Sequence, residues 1–214
     1  MQIYDDQVAG KISSELLRIQ AIKLRPNDPF TWASGWKSPI YCDNRLSLSF
    51  PEVRTYVKNA LADLIKSKYP DADAIAGVAT AGIPQGALVA DLLELPFIYV
   101  RSKSKEHGMG NQIEGLVRKE MKVVMLEDLV STGGSSLLAA EAVKAAEMEV
   151  LGMVSIFTYG FPVAEENFEK QGIELWCLSD YNHLIEVASK NGQIDAQALG
   201  ALRKWREDPG AWKG

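Results

Sequence analysis

The sequence predicts an α/β fold in which a central parallel sheet is flanked by helices. Apolar runs at residues 74–79 and 97–100 enclose a segment of helical composition at 87–95, and this strand–helix–strand order is typical of parallel sheets. A third apolar run, at 123–126, is β-branched and does not alternate with polar residues, as expected for a strand buried on both faces. With 214 residues, 47% of them hydrophobic and 24% charged, residues 1–214 suit a single domain with a sizeable core.

The amino-terminal part is predicted to contain two helices around an irregular segment. Apolar residues recur at helical spacing across residues 5–20, which indicates an amphipathic helix packed on the main sheet or against a partner chain. Prolines and scattered aromatic residues at 24–45 favour short strands and turns, and we call the surrounding region, about 22–48, the hood. A proline then begins a helix over residues 51–68, at the start of a core of about 50–180.

The alternation of strands and helices continues towards the carboxyl terminus. Residues 101–112 are basic, polar and glycine-bearing without apolar periodicity, which predicts a mobile surface loop. The remaining predicted elements are strands at 113–117, 150–158 and 173–178, and helices at 137–146, 163–171, 180–190 and 194–206.

The turn after the run at 123–126 has the composition of an anion site. Glu127 and Asp128 follow the run, at the edge where open α/β sheets bind ligands. Gly133 and Gly134 let the backbone approach a ligand closely, and the next helix directs free N–H groups at the same point. Hydroxyl donors come from Ser131, Thr132, Ser135 and Ser136. The segment has neither the lysine of a P-loop nor a Gly-x-Gly-x-x-Gly fingerprint. Carboxylates at this edge can accept hydrogen bonds from two adjacent sugar hydroxyls while the turn holds a phosphate on the same sugar; the alternative is a strand-to-helix turn with a Ser/Thr cap and solvated acids.

Charge and cysteine content argue against several other classes of protein. A formal net charge of −5 disfavours binding to nucleic acid or to an anionic membrane. Cys42 and Cys177 are too few and too far apart for a disulfide framework or a zinc site. No apolar run approaches the roughly 20 residues that span a membrane, and no signal-type apolar stretch follows the acidic start. We therefore expect a cytoplasmic protein with no nucleic-acid partner and no membrane partner.

The acid pair and the turn after it resemble the ribose-5-phosphate motif of type I phosphoribosyltransferases. Two further segments are similar to orotate phosphoribosyltransferases: an aromatic-Thr-x-x-Ser-Gly-x-Lys-Ser-Pro signature within 30–41, and Arg101-x-x-x-Lys105-x-His107-Gly108. The three segments occur in the family's order over roughly residues 30–180. This resemblance implies the type I phosphoribosyltransferase fold, a central parallel sheet flanked by helices with a small amino-terminal hood.

The resemblance also implies an enzyme of pyrimidine (UMP) biosynthesis. Orotate phosphoribosyltransferases join a ring nitrogen of orotate to C1 of 5-phosphoribosyl-1-diphosphate (PRPP), releasing diphosphate and giving orotidine 5′-monophosphate. Mg²⁺ accompanies the diphosphate and is held mostly by substrate oxygens and water rather than by protein side chains. Members of the family form homodimers in which a cationic loop reaches the neighbouring subunit's site.

Carried over by position, the resemblance implies roles for four groups of residues. The catalytic group is Lys105, His107 and Asp128. The PRPP-binding group is Arg101, Lys105, His107, Glu127, Asp128, Leu129, Val130, Ser131, Thr132, Gly133, Gly134 and Ser135. The turn of Ala79, Thr80, Ala81 and Gly82 is expected to offer backbone amides to the diphosphate, and Ser131 is also expected to lie near orotate.

The chain departs from the family pattern at several positions. Lysines of many members are replaced here by Ala33, Ala81 and Ser102. Some members also grip the orotate carboxylate with an arginine after the strand at 150–158, where this chain has Tyr-Gly-Phe-Pro. For this reason we expect Arg45 or Lys37 of the hood to supply the positive charge for orotate.

Two other functions fit parts of the pattern. A non-catalytic regulator that senses PRPP or nucleotides needs the phosphate turn but not Lys105 and His107, and usually carries a basic surface that binds nucleic acid. A purine phosphoribosyltransferase shares the turn, but the hood signature with Lys37 argues against this alternative.

Overall fold

A computed structural model describes residues 1–32, 35–101 and 112–212 of the chain. The helices are α1 (Asp6–Arg18), a 3₁₀ helix (Asn44–Ser49), α2 (Pro51–Lys68), α3 (Gly82–Leu93), α4 (Gly134–Ala145), α5 (Pro162–Gln171), α6 (Tyr181–Lys190) and α7 (Ala196–Glu207). The strands are β1 (Gln2–Ile3), β2 (Ile22–Leu24), β3 (Phe30–Thr31), β4 (Lys37–Ser38), β5 (Ile40–Cys42), β6 (Ala74–Val78), β7 (Phe97–Val100), β8 (Ile113–Glu114), β9 (Lys122–Val130), β10 (Glu149–Thr158) and β11 (Leu175–Asp180). Within these described ranges, no helix is long and apolar enough to cross a membrane.

Seven strands form one sheet in the order β1-β11-β10-β9-β6-β7-β8. Neighbouring strands are parallel, except that β7 and β8 run antiparallel. β6 and β9 pair near the centre. From β6 the chain continues to β7 on one side of this pair, and from β9 it continues to β10 and then β11 on the other side. The predicted α/β fold with a mostly parallel central sheet is confirmed.

Helices cover both faces of this sheet. On β9, Val124 and Leu126 face one helical layer, and Val123 and Met125 face the other. The first layer buries residues of α1, α2, α3, α6 and α7, and the second buries residues of α4 and α5. Because both faces are covered, all five residues of β6 are buried, which explains why the central strands are unbroken apolar runs in the sequence.

The predicted amino-terminal helix forms as α1 and packs on the main sheet. Asp5 caps it, since the Asp5 carboxylate accepts a hydrogen bond from the backbone N–H of Val8 at 2.9 Å. On its buried face, Ser13 Oγ lies 2.8 Å from Ser179 Oγ of β11. α1 therefore occupies the first of the two locations that its sequence pattern allowed.

The hood segment contains two small antiparallel sheets and the 3₁₀ helix. β2 pairs with β5, and β3 pairs with β4, so the strands here are short, as predicted. The 3₁₀ helix was not predicted, and it carries Asn44, which is only 2% exposed. Asn44 Nδ2 donates a hydrogen bond of 2.7 Å to the backbone carbonyl of Asp128. One hood side chain is thus anchored directly to β9.

Three predicted boundaries are wrong at the same edge of the sheet. α3 begins at Gly82 rather than at residue 87, and α4 begins at Gly134 rather than at residue 137. Glycine and proline in these segments suggested turns, but the N–H groups of a first helical turn need no helical partner, so both residue types are tolerated there. β9 continues past residue 126 to Val130 because β10 pairs with it along that whole length.

Two smaller differences lie at the ends of the sheet. The strand predicted at 113–117 is limited to β8, Ile113–Glu114, which pairs with β7. β1 was not predicted, and its two residues add a parallel strand beside β11. Neither difference reaches the edge at which β6 and β9 end.

Candidate functional site

The carboxyl ends of β6 and β9 meet at the point where the strand order of the sheet reverses. Open α/β sheets bind ligands in the crevice at such a point. The turn of residues 79–82 follows β6, and the acid pair and the turn of residues 131–133 lie at the end of β9. The structure therefore brings two of the predicted sub-sites together at one edge.

The turn after β6 is closely packed against β9. A Cβ atom placed on Gly82 would lie 2.4 Å from the carbonyl oxygen of Leu126, so only glycine fits without movement of the backbone. Ala79 N–H donates to the carbonyl of Val100 at 2.8 Å, and the Ala79–Thr80 peptide bond is cis. At the start of α3, Ile83 N–H donates to the carbonyl of Thr80 at 3.3 Å and Pro84 has no N–H, which leaves the N–H groups of Ala81 and Gly82 to meet an anion.

The turn after β9 has the geometry of a phosphate site. Gly133 adopts φ of +80°, and a Cβ atom there would lie 2.8 Å from the ring of Phe168. Asn167 Nδ2 donates to the carbonyl of Thr132 at 3.0 Å, which ties the turn to α5. Gly134 and Ser135, in the first turn of α4, are exposed, so their N–H groups are accessible from solvent.

Uncapped amino termini distinguish α3 and α4 from three other helices. The carboxylates of Asp5, Asp180 and Asp195 accept hydrogen bonds from first-turn N–H groups of α1, α6 and α7. Within the part of the chain that the structure describes, α3 and α4 receive no such side-chain cap, and neither do α2 and α5, which begin with proline. Because α3 and α4 both begin at the carboxyl edge of β6 and β9, their helix dipoles favour an anionic ligand at that edge.

The two acids lie inside β9 and differ in their surroundings. Glu127 is only 6% exposed; its Oε2 accepts a hydrogen bond from Ser136 Oγ and its Oε1 accepts one from the backbone N–H of Asp128, each at 3.0 Å. Asp128 is half-buried, and its backbone carbonyl is held by Asn44. Glu127 is therefore oriented by the protein itself, whereas the more exposed Asp128 carboxylate is the better candidate to bind sugar hydroxyls.

Burial dominates the electrostatics of this pair. It raises the pKa of both carboxyl groups, and the nearby negative charge of Asp128 raises the pKa of Glu127 further, to about 8. Arg45 acts in the opposite direction, since its positive charge lowers the pKa of Asp128. The pair as a whole therefore favours a single negative charge beside the sugar site.

Replacing Glu127 by glutamine should stabilise the protein at alkaline pH. The pKa of Glu127 lies above the unfolded value of 4.5, so its contribution to stability is complete below about pH 4.5 and is lost as the pH rises through about 8. We expect Glu127→Gln to raise the free energy of unfolding by on the order of 2 kcal/mol at pH 8.5 and by much less at pH 5. Urea denaturation at both pH values measures this, with Glu169→Gln on the exposed face of α5 as the control. An equal gain at both pH values would contradict the assignment.

A cavity of about 320 Å³ lies next to the acids, between the hood and the ends of β9 and β10. Its lining is mostly apolar, and it includes Ser131, which begins the phosphate turn. A planar ring of heterocyclic size fits such a cavity. The residues that line it are Thr31, Trp32, Tyr41, Cys42, Leu129, Ser131 and Tyr159.

Sequence reasoning missed most of this lining. Ser131 was expected near the ring, and it does line the cavity. Thr31, Tyr41 and Tyr159 were not assigned, because they belong to separate segments that carry no local motif. The available signal was the concentration of aromatic residues in the hood and after β10.

The two cations expected to bind orotate lie beside the cavity rather than in its lining. Lys37 Nζ donates to Thr31 Oγ1 at 2.9 Å, so it contacts a lining residue. Arg45 is 61% exposed and forms a two-point ion pair with Asp43, with Nε–Oδ1 at 2.6 Å and Nη2–Oδ2 at 3.0 Å. Contact of either cation with orotate stays a prediction.

The cationic segment is described only at its two ends. Arg101 follows β7; its backbone N–H donates to the carbonyl of Gln112 at 2.8 Å, and its Nη1 lies 3.6 Å from Glu114 Oε1. Lys105 and His107 lie outside the described residues, so their expected roles stay predictions.

Comparison with known proteins assigns this architecture to a family. Residues 51–173 match the phosphoribosyl transferase domain. The chain is 56% identical over 203 residues to orotate phosphoribosyltransferase of Cytophaga hutchinsonii, covering 95% of this chain and 97% of that protein. It is 58% identical over 198 residues to orotate phosphoribosyltransferase of Bacillus subtilis, covering 92% of each chain. The crystal structure of orotate phosphoribosyltransferase from Aeropyrum pernix superposes with a TM-score of 0.74 at 27% identity, covering 86% of this chain and 99% of that one. The chain thus has the type I phosphoribosyltransferase fold and belongs to the orotate phosphoribosyltransferase family.

Proposed function

We propose that the chain transfers the 5-phosphoribosyl group of PRPP to a ring nitrogen of orotate, giving orotidine 5′-monophosphate and diphosphate in pyrimidine biosynthesis. The observation that carries this proposal is the convergence of three sub-sites on the end of β9. Asp128 lies near the end of β9, Ser131 begins the phosphate turn, and Leu129 and Ser131 also line the ring-sized cavity. High identity to orotate phosphoribosyltransferases over most of the chain supports the choice of orotate.

The chemistry requires stabilisation of opposite charges on the two sides of C1. As diphosphate departs, the sugar becomes oxocarbenium-like and positive, while negative charge grows on the leaving oxygens. Asp128 binds the ribose hydroxyls and stabilises the positive sugar. Glu127 holds Asp128 in position by accepting a hydrogen bond from the Asp128 backbone N–H. The N–H groups of residues 131–135 hold the 5-phosphate, and the reactants are thereby aligned before reaction.

The departing diphosphate is met by cations and by the amino terminus of α3. Arg101 extends from the end of β7 next to the turn of residues 79–82. Lys105 and His107 supply positive charge, and their attraction to the leaving oxygens grows as those oxygens become more negative. Preorganised donors accelerate such a step in this way. We propose that they act from the partner subunit in a homodimer.

Magnesium fits this site as an ion carried by the substrate. In the described part of the chain, no group of three or more His, Cys, Asp or Glu side chains is arranged to hold a metal ion. The Asp128 carboxylate, beside a Glu127 side chain that is engaged by Ser136 and by the Asp128 backbone, suits Mg²⁺ that keeps water and substrate oxygens as ligands. When bound, the ion neutralises charge on the diphosphate.

The function is tested by a spectrophotometric assay with PRPP and each of orotate, adenine, hypoxanthine, guanine and uracil. Turnover of orotate alone is the expected result. Turnover of a purine would favour a purine phosphoribosyltransferase, and PRPP binding without turnover of any base would favour a non-catalytic regulator. The net charge of −5 disfavours the regulator that binds nucleic acid.

The shared-site homodimer is tested by mixing two inactive variants. Lys105→Ala removes the cation, and Asp128→Asn removes the sugar-binding charge. If each site takes Lys105 from one subunit and Asp128 from the other, random re-association restores about a quarter of wild-type activity, because one of the two sites in each mixed dimer is intact. Verified mixed dimers without recovery would mean that each subunit supplies its own loop.

We further propose that residues 1–214 form one cytoplasmic domain, with the hood at about 22–48 set on a core of about 50–180. The short hood strands and the Asn44 contact with β9 support this division.

A further inference from the structure

The walls of the ring-sized cavity are backed by the carboxyl-terminal helix α7. Trp205 of α7 is completely buried. Its ring centroid lies 5.6 Å from that of Trp32 and 6.0 Å from that of Tyr159, with interplanar angles of 85° and 79°. Trp32 comes from the hood and Tyr159 from the end of β10, and both line the cavity. One tryptophan therefore contacts walls contributed by two separate parts of the chain.

Polar contacts from α7 hold the backbone of the same two walls. Trp205 Nε1 donates to the carbonyl of Lys37 in β4 at 3.2 Å. Arg206 Nε donates to the carbonyl of Tyr159 at 3.1 Å, and Arg206 Nη2 donates to the carbonyl of Gly160 at 2.8 Å. Hydrogen bonds from a guanidinium are stronger than those between neutral groups, so this clamp on Tyr159 and Gly160 is firm.

The glycine at position 160 is matched to this clamp. Gly160 adopts φ of +65°, and a Cβ atom there would lie 3.1 Å from Arg206 Nη2. The left-handed backbone turns both successive carbonyls of the Tyr159–Gly160 pair to one guanidinium. The chain direction after β10 is thereby set by α7.

We propose that Trp205 and Arg206, the α7 latch, are positioning residues that set the affinity of the cavity for the base. This inference rests on the proposed function and adds a specificity element to it. The phosphate turn is held by α5, through Asn167 and Phe168, rather than by α7, although the Tyr159 wall also meets β9 where Tyr159 N–H donates to the carbonyl of Val130 at 3.2 Å. Loosening the latch displaces the walls around the base and leaves the PRPP contacts in place.

The test is a steady-state comparison of Arg206→Ala, Arg206→Lys and Arg203→Ala. Arg203 lies on the exposed face of α7 and serves as the matched control. We expect Arg206→Ala to raise the KM for orotate about tenfold, with less than a twofold change in the KM for PRPP and in kcat, which is the pattern of lost ground-state binding. Arg206→Lys should recover part of the loss, and Arg203→Ala should match the wild type.

Trp205→Phe provides a second variant that keeps an aromatic ring and removes the hydrogen bond to Lys37. It should raise the KM for orotate in the same selective way, even if Arg206→Ala does not fold. An unchanged KM for orotate in both folded variants would overturn the proposed role of the α7 latch. Equal losses for orotate and PRPP that follow the loss of thermal stability would also overturn it, because they indicate a purely structural role. If the wild type used a purine instead of orotate, the proposed function would be wrong. The role of the α7 latch would then be tested by the ratio of the variant and wild-type KM values for that purine.

Discussion

Asp128→Asn is expected to lower kcat/KM by about 10²–10³-fold, the usual cost of removing one preorganised electrostatic contact. Asparagine keeps the size of the side chain and one acceptor for a ribose hydroxyl, but it removes the negative charge beside the developing positive charge at C1. The loss should therefore fall mainly on kcat, with a smaller effect on the KM for PRPP. Initial rates over a matrix of orotate and PRPP concentrations measure both quantities.

Asp73→Asn is the matched control for this variant. Asp73 Oδ2 accepts a hydrogen bond of 2.8 Å from the backbone N–H of Lys122, at the opposite end of β9. The same chemical change is thus made beside β9, at the residue that precedes β6, but far from the carboxyl edge, and activity should stay within about twofold of the wild type. Near-normal kcat for Asp128→Asn would show that the charge on β9 is not part of the chemistry.

Gly82→Ala is expected to destabilise the protein by about 3 kcal/mol and to abolish most PRPP binding. The added methyl would lie 2.4 Å from the carbonyl oxygen of Leu126, a backbone atom that cannot rotate away. The turn of residues 79–82 must then move off β9, which breaks close packing and displaces the first N–H groups of α3. Urea denaturation and titration with PRPP measure the two effects.

Gly10→Ala provides the control for the change of glycine to alanine. Gly10 lies inside α1, and a Cβ atom there would meet nothing within 4 Å. This variant should gain about 0.5–1 kcal/mol because alanine loses less conformational entropy in a helix. A Gly82→Ala protein as stable and active as the wild type would mean that the turn moves freely, contrary to the tight packing described.

Strands and long amphipathic helices were predictable because their signal is local. The strand at 97–100 and the helix at 51–68 occur as predicted, since a buried strand needs apolar residues and a covering helix needs an apolar face. The starts of α3 and α4 were not predictable from the same signal. Glycine looks the same in the sequence whether it lies in a turn or in the first turn of a helix that binds a ligand, so composition does not separate the two.

The candidate site likewise has a part that could be predicted from the sequence and a part that could not. The acids and the turn of residues 131–135 form one continuous motif, so their chemistry could be inferred from composition. The cavity could not, because Tyr41, Leu129 and Tyr159 are distant in sequence and meet only after the hood docks on the core. The support from Trp205 and Arg206 is still more remote, since it depends on how α7 packs beside the hood.

The separate origin of the cavity walls has a consequence for altering this protein. In the cavity lining, Thr31, Trp32, Tyr41 and Cys42 belong to the hood, whereas the acid pair and the proposed phosphate turn belong to β9 and the start of α4. A different hood grafted onto the same core, with a carboxyl-terminal helix matched to it, would exchange one nucleobase for another while the machinery for breaking the C1–oxygen bond stayed untouched. The residues that such a graft would leave in the cavity are Leu129, Ser131 and Tyr159, which belong to the core.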